Sequence, residues 1–554
     1  MNDMKPINNL LIKKALLLIT SGVLSWSCSD DFLDRPPMGT LDEETYMSTE
    51  DAGFKLLVSC YTPMYDNWNY QVMKFEVGDA LADDFSKGGS DPTDRVMVTE
   101  VTRGNPLPTN TLLYNLWNHR FNMGIGRCNV FLSQVTPETV LIHPGGSLVT
   151  TGEKQRWMAE ARFLRAFYYY DVLAIFGNVP IIDQPLNAVD KNTITKSDYA
   201  EVLKFILSDL DAVISETNLP SAKDLPATEF GRVTREAAKA FRARVNMFDK
   251  NYSAAQKDLK DVIDSGCYDL IDNYEDLFNS AEKGYKSKES IFISLFEYNS
   301  AYQGNTSVCP QMNLGRNAVG GWGGQCATLD LAEEYEAGDP RKVHTILSSG
   351  DIFEKADGTE EVHDYSGYDN FPLQHSRKQY PDFSRRVGGN LQRTDWSFYH
   401  IRYADVLLMY AECLIETNGD KQEAVDILNK IRYRAFVTTP PTDSFAKSRK
   451  FNIPEDQQVT EEKFNAQYKV KITDDLRAAV RHERRVELGG EGLRLYDLLR
   501  WDTFVPKMQT FGKTQEGQIS GAGMQVTDKT WPYPIPQLEI DNTEGSLTQN
   551  DNYK

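Results

Sequence analysis

Apolar side chains recur every three or four positions along most of this chain, and this spacing predicts amphipathic helices. The clearest helix spans 153–176, where Phe163, Phe167 and Tyr170 share one face and Gly177 follows the last apolar position. The same spacing predicts further helices at 40–60, 110–134, 197–215, 234–248, 252–265, 400–417, 421–436 and 473–500. Tryptophans at helical spacing are expected in the core, namely Trp117, Trp157 and Trp501.

The helical pattern changes between about 280 and 400, where Gly, Asn, Ser and aromatic residues dominate. Residues 291–296 read as a strand, and 437–470 as a long loop with three prolines. Two of the helix pairs, 236–265 and 405–435, resemble tetratricopeptide repeats because small residues stand where antiparallel helices approach closely. Ordinary helical hairpins remain an alternative, and the predicted fold is mainly α with minor β-hairpins.

The first apolar run lies near the N-terminus and is typical of an export signal. Lys13 and Lys14 precede about ten apolar residues, and the segment ends at Cys28. It is too short to cross a membrane, which needs about 20 residues. A cysteine at the cleavage point indicates a lipoprotein, although Ser25 and Trp26 depart from the usual box, so a plain secretory signal remains the alternative.

Length and composition are those of a globular protein with an acidic surface. The chain has 554 residues and a formal net charge of −20, which argues against nucleic acid as a partner. Seven cysteines are too few for a disulfide scaffold. Cys309 and Cys326 flank a predicted loop, and the sequence leaves open whether they are bridged.

The densest group of charged residues is the segment 481–501. His482-Glu483 lacks the second histidine of a zinc-binding helix, which would fall at Val486. Glu483 and Glu487 share a helix face with arginines and leucines around them. This arrangement predicts partly buried arginine–carboxylate pairs that join helices, rather than catalysis.

The same segment resembles the signature of the SusD/RagB family of outer-membrane nutrient-binding lipoproteins. It matches the pattern ER-x-x-EL-x-x-EG-x-R-x-x-DL-x-RW, with Gly489-Gly490 as a departure before Glu491. Three other family patterns follow in the expected order, at 160–180, 402–412 and 533–550. The resemblance therefore runs over most of the chain.

This resemblance implies a signal peptide over 1–27, a lipid-attached tether over 28–38 and one helical domain over 39–554. It also implies tetratricopeptide-like helical pairs with a loop-rich ligand-binding face. Family members sit on a TonB-dependent, SusC-like transporter at the cell exterior, capture oligosaccharides or sometimes peptides, and perform no chemistry. The expected anchor is a lipid on Cys28 in the outer membrane, and no cofactor or metal is expected.

A sugar-binding site requires flat aromatic side chains beside hydrogen-bonding groups. Two segments supply both without helical spacing, at about 61–90 and 298–326. The predicted ligand-binding residues are Asp66, Trp68, Tyr70, Asp83, Tyr298, Tyr302, Asn313, Arg316 and Trp322. Asp83-Asp84 is also a weak candidate for a cation site.

Four functions remain to be compared. A glycan-binding lipoprotein agrees best with the aromatic segments, whereas a peptide-binding relative would need fewer flat aromatics. The sequence lacks the G-x-S-x-G, H-E-x-x-H and P-loop motifs, although a pair of glycosidase carboxylates needs only proximity in space. A pure tetratricopeptide scaffold does not account for the aromatic region at 280–400.

Overall fold

The fold is known from a computed structural model. It describes residues 43–89, 93–279, 284–297, 306–314, 320–354, 358–363, 374–381, 386–387, 390–437 and 459–554. The predicted signal, Cys28 and the tether lie outside these residues, as do three of the predicted ligand-binding residues, Tyr298, Tyr302 and Arg316.

The chain divides into a small and a large compact unit. Within the described residues the small unit comprises 43–53 and 140–149, and the large unit comprises 54–139 and the described residues after 150. In the small unit, the Asp51 amide donates to the Ile142 carbonyl at 2.7 Å. Ile142 and Leu148 form an antiparallel bridge there.

Helices build most of the large unit, which confirms the mainly α fold. In chain order the main ones are Ala52–Tyr61, Val96–Arg103, Thr111–Trp117, Gly126–Gln134, Thr151–Phe176, Tyr199–Ser215, Arg235–Phe248, Tyr252–Asp264, Tyr403–Glu416, Lys421–Val437, Leu476–Leu488, Arg494–Arg500 and Phe504–Phe511. The pairs Arg235–Phe248 with Tyr252–Asp264, and Tyr403–Glu416 with Lys421–Val437, are the predicted hairpins. Shorter helices are Glu43–Met47, Met73–Phe75, Asp276–Asn279, Cys309–Asn313, Leu329–Glu334, Arg341–Thr345, Glu461–Lys463, Gln515–Ser520 and Gln537–Asn542.

The longest helix, Thr151–Phe176, agrees with its prediction at both ends. Thr150 and Glu153 form a reciprocal capping box at its start. Gly177 ends it with φ +69°, a conformation that favours glycine. Its buried aromatic face confirms the predicted core, in which Trp117 and Trp157 are also buried.

Two predicted helices are interrupted. The segment 40–60 is divided between Glu43–Met47 and Ala52–Tyr61, because Asp51 takes φ +64° between them. The segment 473–500 is divided after Leu488 by a glycine-rich turn in which Gly490 and Gly492 both take φ +77°. Glu491 lies in this turn and is directed into the interior.

Small antiparallel sheets accompany the helices. A four-stranded sheet has the order Phe85–Gly88, Gly324–Ala327, Gln374–Ser376 and Ile346–Ser348. Ser290–Ser294, which overlaps the strand predicted at 291–296 but ends two residues earlier, pairs with Phe398–Arg402. Asp351–Glu354 pairs with Glu360–His363, and Arg386–Val387 pairs with Asn390–Thr394.

A network of buried ion pairs joins the helices around Glu487. Its carboxylate accepts hydrogen bonds from Arg341, Arg402 and Arg434 at 3.0, 2.8 and 2.5 Å. One turn earlier, Glu483 is paired with Arg341 at 2.5 Å. These contacts confirm the structural role predicted for both glutamates.

The predictions for Trp501 and for the pair Cys309 and Cys326 can also be compared with the structure. Trp501 is only 8% exposed, which confirms the core position predicted for it, and Cys128 and Cys413 are also buried. Cys309 and Cys326 are free thiols, so the bridge left open by the sequence is not formed in this structure.

In the part of the chain that the structure describes, no helix has both the length and the apolar character needed to cross a bilayer.

We expect His482 to stabilise the fold in a pH-dependent way. Burial opposes its charge, but the hydrogen bond of Nδ1 to Glu334 at 2.6 Å and the negative charge of Glu336, 3.9 Å from Nε2, prevail and raise the pKa of His482 to about 9. Because this pKa lies above the usual value near 6.5, the contribution is complete below pH 6.5 and is lost as the pH rises through 9. Unfolding of His482→Gln and the parent protein at pH 6, 7.5 and 9.5 should give a stability difference that shrinks with pH. A constant difference would contradict the pairing.

Candidate ligand-binding site

Trp68 and Trp322 form a stacked pair at the surface, called here the tryptophan platform. Their ring centroids are 5.6 Å apart and their planes differ by 8°. The two side chains remain 49% and 37% exposed, which is unusual for residues of this size. The pair thus presents flat apolar surface to solvent.

A short, tightly turned segment holds Trp68. The turn Thr62–Tyr65, with Pro63 in its first positions, ends the preceding helix and leads to Asp66. The Asp66 carboxylate accepts from the backbone amides of Trp68 and Asn69 at 3.0 and 2.7 Å. Asp66 therefore caps the π-helical turn Asn67–Val72 that carries the tryptophan.

Gln71 ties this turn to a distant part of the chain. Its amide nitrogen donates to Asn67 Oδ1 at 2.8 Å within the turn. Its amide oxygen accepts from the Ser307 hydroxyl, also at 2.8 Å. Ser307 lies two residues before the short helix Cys309–Asn313, whose Gln311 carbonyl accepts from the Trp322 amide.

Backbone hydrogen bonds fix the segment around Trp322. The Trp322 amide donates to the Gln311 carbonyl at 2.7 Å, and the Gly323 amide donates to the Leu314 carbonyl at 2.8 Å. The Gly323 carbonyl accepts from Gly89 at 2.6 Å. Gly323 takes φ +75°, so a side chain there would strain the turn that presents Trp322.

A groove of about 440 Å³ is lined in part by Asp66, the residue that caps the turn carrying Trp68. Apolar faces of Pro63, Tyr65 and Met123 line it. Arg127 contributes a cationic group, and its Nη1 donates to the Ser59 carbonyl at 3.4 Å. The groove therefore combines apolar walls with a carboxylate and a guanidinium group.

Tyr70 and Asp83, predicted as ligand contacts, are buried in the structure. Tyr70 is 2% exposed, and the Arg120 guanidinium lies 4.3 Å from its ring centroid. Asp83 is inaccessible to solvent and is paired with Arg485 and Arg494 at 2.9 and 2.7 Å. These residues do not reach the surface, because the segment after Trp68 continues as helical turns rather than as the predicted open loop.

Asn313 is also buried, and its amide nitrogen donates to Gln379 at 2.6 Å. Asp84, like Asp83, is paired with Arg485. Both acids thus already have cationic partners in the place where the sequence suggested a cation site. Among the described residues, no group of three or more His, Cys, Asp and Glu side chains is arranged to hold a metal ion.

The sequence did not reveal two features of the site. Trp68 and Trp322 were both predicted to be presented at the surface, but nothing in the spacing indicated that they stack on each other. Met123 and Arg127 fall in the predicted helix 110–134, and the sequence analysis did not single them out. Nothing in the spacing distinguishes Arg127 from Arg120, which is buried.

The fold and the site define a helical binding protein with an aromatic surface platform. Residues 31–247 match a family model described as "Starch-binding associating with outer membrane", and 288–553 match the SusD family model. The chain belongs to the SusD family.

Individual relatives agree with this assignment. A SusD-like protein of Bacteroides ovatus is 25% identical over 524 residues, covering 91% of this chain and 85% of that protein. The structure of a SusD-like carbohydrate-binding protein from Bacteroides fragilis is 26% identical, with a TM-score of 0.70 over 92% of this chain and 100% of the other. The structure of surface glycan-binding protein A from Bacteroides fluxus is 25% identical, with a TM-score of 0.68, and the match covers 91% of this chain and 100% of the other.

We expect Asp66 to order the turn that carries Trp68. Asp66→Ala removes the cap and should cost about 1 kcal/mol of stability, with faster hydrogen exchange at the Trp68 and Asn69 amides. Asp66→Asn is the matched control, because asparagine caps helices as well as aspartate does. Equal exchange rates in the two variants would show that the cap does not order the turn.

Proposed function

We propose that the tryptophan platform and the adjoining groove bind an oligosaccharide. The observation that carries the proposal is the pair of stacked, exposed indoles held by Asp66 and Gly323. A pyranose ring has an apolar C–H face that fits such a flat surface, and its hydroxyl rim needs polar groups nearby. Asp66 and Arg127 supply acceptors and donors along the groove.

The relatives support this ligand class, because they include a carbohydrate-binding protein and a surface glycan-binding protein. The flat platform favours a sugar over a peptide, since a peptide is recognised mainly through its backbone and through pockets for separate side chains. A peptide ligand is therefore the second candidate.

Binding without chemistry agrees with the state of the glutamates in the C-terminal helix. A glycosidase needs one carboxyl group to act as an acid and a second to act as a base or nucleophile. Glu483 and Glu487 are instead buried in arginine contacts, and these contacts hold the pKa of Glu487 well below its usual range despite burial. Glu487 is thus unsuited to donate a proton, and both carboxylates are buried away from solvent.

The proposed place of action is the outer face of the outer membrane. The N-terminal segment that ends at Cys28 supplies the expected lipid anchor, and the matched family description names association with the outer membrane. The proposed partner is a SusC-like, TonB-dependent transporter, to which the bound oligosaccharide is delivered. In this proposal the helical domain over 39–554 holds the oligosaccharide above the transporter.

We expect Trp68→Ala and Trp322→Ala each to weaken oligosaccharide binding by about tenfold, which corresponds to about 1.4 kcal/mol. The melting temperature should change little, because both side chains are exposed. Calorimetric titration with neutral β-glucan and α-glucan hexasaccharides, and with peptides of similar size, measures the binding. Tyr433→Ala serves as the control, since this aromatic side chain is 42% exposed and lies on another helix.

Unchanged sugar affinity in both tryptophan variants would refute the platform as the binding site. Affinity for the peptides alone would favour the second candidate. Incubation of the oligosaccharides with the purified protein, followed by chromatography, tests for chemistry. Appearance of cleavage products would contradict a function limited to binding.

A further inference from the structure

A cavity lies in the interior beneath the turn that carries Trp68. It leaves about 50 Å³ for the centres of water-sized molecules, which is room for a few waters or one small ion. Its lining includes Tyr70, Lys74, Arg120, Tyr170 and Arg244. This cavity has no role in the sugar site proposed above.

The arginines around the cavity already have carboxylate partners. Arg120 is paired with Asp171 at 2.9 Å, and Arg244 with Asp405. The other two arginines of the lining are also paired, Arg484 with Asp405 and Asp497, and Arg500 with Glu412 and Asp497. Four arginines thus share four carboxylates, and their charges balance.

Lys74 also lines the cavity, but it takes no part in these ion pairs. Its ammonium donates to the Glu491 carbonyl, and among the described residues it forms no ion pair within 4 Å. The Asp79 carboxyl group attracts the Lys74 ammonium without forming such an ion pair, and burial raises the pKa of Asp79 to about 7, which disfavours its charged form. Burial lowers the pKa of Lys74 to about 8, so the ammonium is still largely charged at pH 7.

Lys74 and Tyr170 bring unused hydrogen-bond donors to the cavity wall, which Asp171 and Asp497 also line. An ammonium carries three N–H donors, of which one is used by the Glu491 carbonyl. The Tyr170 hydroxyl, which also lines the cavity, has no hydrogen-bond partner among the described residues. A buried cation without a counter-charge is costly, and an anion in the cavity would remove that cost.

We propose that this cavity binds a small monovalent anion, of the size of chloride or formate, against the Lys74 ammonium and the Tyr170 hydroxyl. Arg120 connects such a site to the platform, because its Nη1 donates to the Asn69 carbonyl at 2.7 Å. Asn69 directly follows Trp68. An anion at this place therefore stabilises the base of the sugar-binding turn.

Thermal unfolding of the purified protein at pH 7 in sodium chloride and in sodium gluconate tests the proposal. Both salts run from 0 to 200 mM at equal ionic strength, and gluconate is too large for the cavity. Chloride should raise the melting temperature by about 2–4 °C in a saturable way, and gluconate should not. Lys74→Met should lose this difference, whereas Lys250→Met, at an exposed pair with Asp502, should keep it.

Crystals grown in sodium bromide supply a second measurement that does not depend on the variant folding. The proposal requires an anomalous bromide peak in the cavity, within contact distance of the Lys74 ammonium. The absence of that peak, or equal melting curves in the two salts, would overturn it and leave water as the occupant. Persistence of the chloride effect in a folded Lys74→Met variant would also overturn it.

Discussion

The buried carboxylate of Glu487 and its three arginines hold this structure together. Arg341 comes from the sheet-rich part of the chain, Arg402 from the end of a strand and Arg434 from a helix of the second hairpin. One side chain thus joins three regions that are far apart in sequence. Removing one partner of such a buried group is costly, because the remaining charges stay out of water without compensation.

The network extends from Glu487 to the segment that bears the sugar platform. Glu491, four residues later in the glycine-rich turn, is paired with Arg402, and its carbonyl accepts from Lys74. The next backbone amide, that of Gly492, donates to Asp79 at 2.8 Å. The helical segment that carries Trp68 is therefore hydrogen-bonded to the turn between the C-terminal helices. The bonds are made by Lys74 and Asp79, a few residues after the tryptophan.

This anchoring explains which predicted site residues reach the surface. Trp68 lies at the start of the turn, where the Asp66 cap directs the chain outward, and it stays exposed. Tyr70 and Asp83 lie further along, where the segment packs against Arg120 and Arg485, and they are buried. The same aromatic and acidic residue types thus serve the ligand face at one end and the core at the other.

Helical periodicity predicted most of the fold, because buried faces repeat along a helix whatever their partners are. The long helix Thr151–Phe176 and the role of Glu483 and Glu487 could be recognised in this way. Burial in the segment after Trp68 could not, since it depends on contacts with residues distant in sequence, Arg120 for Tyr70 and Arg485 for Asp83. The stacking of Trp68 on Trp322 depends on other long-range contacts, such as that between Gln71 and Ser307.

The most direct test of this account is the unfolding of Glu487→Gln in urea, with Glu416→Gln as its matched control. Glu416 is paired with Arg477, whose side chain is 57% exposed, so that substitution should cost less than about 1 kcal/mol. Glu487→Gln should lower the free energy of unfolding by about 3–5 kcal/mol. Equal, small losses in the two variants would contradict the claim that the buried network holds the fold and its platform in place.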